Sequence, residues 1–150
     1  MGKFKFRLAT LLRLRESARD QRRSQLAEAY QAEEAIVEQR RRLSADLADL
    51  MRQCREAAGP GELDLDRLLV ARRYEVTLRA EQRDLAEKHE ALRAEVDRRR
   101  LALVEANRSV RVLELLRDRQ LTQHREAERI RQIKELDEVA GRCRREEVES

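Results

Sequence analysis

At 150 residues with 43% charged and only 3% aromatic side chains, the chain is too charged for an ordinary globular domain, where charged residues average about a quarter. Without tryptophan, it lacks the large rings that fill thick cores. Basic and acidic residues nearly balance, 34 against 30, and the apolar residues recur regularly, which favours long helices over disorder.

The N-terminal stretch KFKFRLATLLRLRE carries both phenylalanines, Phe4 and Phe6, ahead of Leu8, Leu11, Leu12 and Leu14. This is more apolar than a two-stranded seam requires and marks a docking candidate. It has neither the continuous apolar core nor the small-residue cleavage site of a secretory signal. No apolar run approaches the roughly 18 residues of a membrane span, so a cytoplasmic location is expected.

A first helix is expected over about residues 4–57. Ala29, Ile36, Leu43, Leu50 and Ala57 repeat every seven residues beside Leu26, Glu33, Arg40, Leu47 and Cys54, and eight of these ten are apolar. A sustained heptad with charge elsewhere specifies a coiled coil. The segment AAGPGELD then gathers the lone proline and two of four glycines. A glycine past a helix end followed by proline stops a helix. Arg52 and Arg55 before the stop and Glu62, Asp64 and Asp66 after it suit the dipoles of the two helix ends. A bend over 58–62 follows.

A second, longer helix is expected over about residues 63–145. Leu78, Leu85, Leu92, Arg99, Ala106 and Leu113 run beside Glu75, Gln82, His89, Val96, Leu103 and Val110, eight of twelve apolar. The expected fold is therefore all-α, a long antiparallel two-helix coiled-coil hairpin forming a single domain. Folding at Pro60 pairs residue numbers summing to about 120, which sets Leu50 near Ala71 and Phe4 near Leu116. The chain beyond Leu116 then lacks an internal partner, an overhang on the order of 45 Å at 1.5 Å per residue. Its Leu121, Ile130, Ile133 and Leu136 want another surface. Tyr74, with Val76 and Leu78 just past the bend, is a second docking candidate.

No phosphate-binding glycine loop, metal-ligand motif or nucleophile elbow occurs. Cys54 and Cys143 are too few for a metal cluster or disulfide framework, and His89 and His124 have no expected pocket in which to act as acid or base. No cofactor, metal or catalytic residue is expected. Arginine clusters such as Arg40–Arg42 and Arg98–Arg100 offer phosphate contacts, but acids are interspersed and stacking aromatics are lacking.

These segments resemble the FliJ family of bacterial flagellar type III export proteins. FKFRLATLLRLRE is similar to the family's amphipathic opening, and RVLELLRDRQLTQHREAERIRQIKELDEVAGRCRR (Arg111 to Arg145) is similar to its C-terminal segment. Glycine at the bend and an aromatic–leucine pair after it, here Tyr74 and Leu78, also resemble the family. The resemblance implies a non-enzymatic antiparallel coiled coil like the stalk of rotary ATPases. Its paired ends would enter the export ATPase hexamer and promote assembly and activity. Family members also contact the export gate membrane protein and escort export chaperones, which implies a cytoplasmic protein peripherally associated with the inner-membrane export apparatus. The gate contact would fall on Tyr74 and Leu78, with Leu47 and Met51 across the hairpin. The ring contact would fall on Phe4, Phe6, Leu8, Leu11, Leu12, Arg117, Leu121, Arg125, Arg129, Ile130 and Ile133. The competing readings are a nucleic-acid-binding helical arm of the tRNA-gripping type and a plain structural coiled coil.

Overall fold

A computed structural model describes residues 3–61 and 63–148, with Cys143 and residues 145–148 described for their backbone alone. Glu62, expected to help start the second helix, lies outside the described residues. The described chain forms two helices that pack against each other as a hairpin, α1 (Ala9–Ala57) and the longer α2 (Leu65–Val148), with no strand among the described residues.

The ends of the helices follow from local chemistry. Ala58 and Gly59 donate to the carbonyls of Cys54 and Glu56, which closes α1 with Arg55 in its last turn. Gly61 adopts φ +155°, a backbone region that glycine enters freely and other residues rarely do. Asp64 caps α2: its Oδ1 accepts from the Arg67 amide at 3.1 Å, and its carbonyl accepts from Leu68. Asp66 adds an anion to the first turn.

At the other end, helix 1 begins at Ala9 rather than at about residue 4. Lys3, Lys5 and Arg7 would set cations against the positive end of the helix dipole, and the first turn holds no acid to compensate. Alternating lysine and phenylalanine also lacks the helical period.

The chain divides into two compact units. One spans Gln21–Leu103 and contains the bend; the other joins the chain before Gln21 to the chain from Val104 onward. The bend-side unit holds two apolar clusters. In one, Leu43, Leu50 and Leu78 are buried with Leu47, Cys54, Ala71 and Leu85 packed against them. In the other, Leu26, Ala29 and Val96 gather with Leu103. Leu50 and Ala71 thus share a cluster as the sequence predicts. In the terminal unit Leu12 and Val110 are the buried apolar residues among those described.

The heptad reading holds along both helices. Of the expected seam positions, Arg40 on α1 and Gln82 on α2 are exposed, and all the others are buried or half-buried. Burying a leucine of such a seam is worth about 1.5–3 kcal/mol, so a few leucines per turn pair suffice where no thick core exists.

The pairing of the ends differs from expectation. The Phe4 ring lies beside His124, with centroids 5.7 Å apart, rather than near Leu116. Two causes account for the shift. The connection runs from Ala57 to Leu65, which moves the centre of the turn past Pro60. Residues 3–6 are also not helical, and non-helical chain advances up to about 3.3 Å per residue against 1.5 Å in a helix. Leu116, Gln120, Leu121, His124 and Glu128 are accordingly half-buried, and full exposure starts at Arg129 instead of after Leu116. The described exposed stretch of α2, Arg129 to Arg144, is about 24 Å long rather than 45 Å.

Candidate functional site

Cross-helix polar contacts fix the bend-side unit. Arg99 donates to the Gln25 carbonyl, and Arg100 donates to the Tyr30 hydroxyl at 2.6 Å while lying over its ring. Arg40 donates to His89 Nδ1 at 2.6 Å, and Nε2 sits 3.4 Å from Glu33 Oε1. An arginine donor requires Nδ1 to accept, so the imidazole hydrogen sits on Nε2. His89 thus accepts from Arg40 across the seam, while its buried Nε2 lies near Glu33 without making a hydrogen bond. Glu75, 8% exposed at its side chain, is satisfied within its own helix by Arg72 and Arg79. Hydrogen bonds from Arg79 and Arg72 hold its carboxyl below the usual range.

The arginine clusters are locally neutralised. Arg41 and Arg42 share Glu38, Arg98 and Arg99 share Glu95, and Arg100 meets Asp97. Hydrogen bonds from Arg41 and Arg42 bring Glu38 down to about 2. These are mostly contacts three or four residues apart, the spacing that faces side chains together on a helix.

The four residues expected at the gate contact fall into two groups. Tyr74 and Met51 are exposed at 51% and 43%. Leu78 is buried and Leu47 half-buried within the seam cluster, where they pack one helix on the other. Tyr74 and Leu78 line one groove of about 460 Å³, together with Leu43, Leu85 and a rim of Gln39, Asp46, Glu81 and Asp84. Sequence reading missed this rim, although Tyr74, Leu78, Glu81 and Leu85 repeat at the helical spacing that would have shown it.

The residues expected at the ring contact all lie in the terminal unit. Phe4 and Phe6 are half-buried, Leu12 is buried, and Leu8 and Leu11 are exposed at 37% and 38%. On α2, Leu121 is half-buried while Arg117, Arg125, Arg129, Ile130 and Ile133 are exposed. Leu136 and Val139, exposed at 69% and 56%, extend that apolar surface toward the C-terminus. Every described side chain from Arg129 to Arg144 is exposed. No described helix is long and apolar enough to cross a membrane.

Comparison with curated proteins and with solved structures finds no match. The profile of the family described as FliJ, Flagellar FliJ protein, matches residues 4–149. The chain therefore belongs to the FliJ family, non-catalytic helical components of flagellar export.

Proposed function

We propose that this FliJ-family chain, acting as one coiled-coil domain, is the stalk of the export ATPase: its terminal unit enters the hexameric ring and promotes assembly and ATP hydrolysis. The observation that carries this reading is the exposed apolar series Ile130, Ile133, Leu136 and Val139 on the last stretch of α2, each at least 47% exposed. Spaced three residues apart, these side chains wind around half of the helix, and exposed apolar groups in a charged surround mark a site that another protein covers. The same unit supplies Leu8, just ahead of α1, and Leu11 within it. Arg117, Arg125 and Arg129 meet acidic groups of the ring at about 0–1 kcal/mol each, so the apolar side chains provide most of the affinity.

The gate contact centres on Tyr74 and Met51, which are accessible, with Leu78 and Leu47 supporting them from the seam. Export chaperones are escorted by the same molecule, and the chain reaches the membrane through these partner proteins. The test is a titration of the chain into the purified export ATPase. Hydrolysis rises to a plateau while the chain alone hydrolyses no ATP; a flat rate across the titration contradicts the proposal.

A further inference from the structure

On α2, Tyr74, Leu78, Glu81 and Leu85 stand at i, i+4, i+7 and i+11 and so share one face; on α1, Gln39, Leu43 and Asp46 do the same at i, i+4 and i+7. Between these rows lies the groove of about 460 Å³, floored by the buried Leu43 and Leu78 with the half-buried Leu85. Two rows at helical spacing form the kind of furrow into which the ridge of a third helix fits. Tyr74 stands half-exposed in it, offering a rigid ring for that ridge to cover.

The charges around this floor are of one prevailing sign. Elsewhere about half of the described acids form an ion pair with a nearby arginine, as at Glu38, Asp49, Glu75, Glu95, Asp97 and Glu105. Asp46, Glu81 and Asp84 line the groove and form no ion pair. Of the two cations there, Arg42 is held by Glu38, which leaves Lys88 as the groove's unpaired cation. Three unpaired carboxylates thus face one unpaired ammonium around an apolar floor.

We propose that the groove receives a partner helix whose apolar ridge is flanked by lysine or arginine. This gives the chemistry of the partner at the Tyr74 docking face and rests on that reading. The apolar ridge covers Tyr74 and the leucine floor, and the basic flanks reach Asp46 on one side and Glu81 and Asp84 on the other. Because those carboxylates stay at the wet rim, they govern selectivity and salt dependence more than total affinity.

The probe is a roughly four-turn leucine–lysine helix peptide titrated into the full-length chain, followed by amide chemical shifts and calorimetry. Binding is expected with shifts over 39–46 and 74–88. Its Kd is expected to rise about tenfold for D46N/E81Q/D84N, and to rise also between roughly 0.05 and 0.5 M salt. All three substituted residues are exposed, so the variant keeps its fold. The same peptide with glutamate for lysine should not bind. Equal binding of both peptides, no binding of the lysine peptide, or shifts confined elsewhere would overturn the inference. So would a doubled sedimenting mass abolished by Y74A, which would make a second copy the occupant. The gate's soluble domain, measured in parallel, separates the two claims. Gate binding lost in Y74A but unchanged in D46N/E81Q/D84N overturns the basic-partner inference and leaves the docking face. Gate binding unchanged in Y74A, with the lysine peptide still selected by the carboxylates, overturns the gate reading and leaves the groove's chemistry.

Discussion

Leu43 in the bend-side unit and Ile133 in the terminal unit are equally apolar residues on long charged helices, yet one is 6% exposed and the other 47%. Their helices have the same kind of composition, and the difference is whether a second helix of the chain lies against them. Where α1 is present, a leucine closes a seam; beyond its reach, the same kind of side chain remains an unsatisfied surface. Stability should therefore respond to the first set of residues and partner binding to the second.

The sharpest way to break this contrast is to cut the seam. Leu43→Ala or Leu78→Ala should each destabilise the chain by about 2–4 kcal/mol, read from urea or thermal unfolding followed by circular dichroism. A loss below 1 kcal/mol would mean that these leucines do not hold the hairpin. The bend comes next in size. Gly61→Ala forces an L-residue into φ +155°, at about 1–3 kcal/mol, and no atom outside its immediate neighbours lies within 4 Å of the added Cβ. The cost should thus reflect backbone conformation alone, and replacement by asparagine should cost no more than alanine.

The exposed series should behave oppositely. Ile130→Ser with Ile133→Ser should leave unfolding within about 0.5 kcal/mol of the parent while abolishing stimulation of the ATPase. A large fall in melting temperature would place these residues in an internal seam instead. The smallest effect concerns Glu38, brought by Arg41 and Arg42 from 4.5 to about 2. A carboxylate depressed in the folded state contributes stability that is full above its unfolded value and is lost as pH falls through the folded one. The stability gap between the parent and Glu38→Gln should hold at neutral pH and close between about 4.5 and 2.

Much of this contrast was legible in the sequence because heptad spacing reports directly which side chains face a neighbour. Leu26, Ala29, Leu43, Leu50, Leu78, Val96 and Val110 were all placed on the seam by counting, and all are buried. Glu75, a polar residue at a seam position, was legible as a position but not as a buried carboxylate held by Arg72 and Arg79, because that depends on rotamers. The Arg100–Tyr30 and Arg40–His89 contacts escaped for the same reason, since long side chains cross the seam at offsets that backbone spacing does not specify. The start of the exposed stretch was misplaced because counting from Pro60 assumes helix up to about residue 4, whereas residues 3–8 are not helical and Phe4 reaches His124. At Tyr74 and Leu78 heptad counting puts the leucine on the seam and leaves the ring off it, and the leucine is buried while the ring is exposed.

Amide hydrogen exchange along α2, with and without the export ATPase hexamer, tests the central claim most directly. The account predicts exchange slowed by at least about tenfold over residues 129–144 in the complex, where the free chain exposes every described side chain. Unchanged exchange there while the ATPase is stimulated would show that the ring is engaged through some other surface.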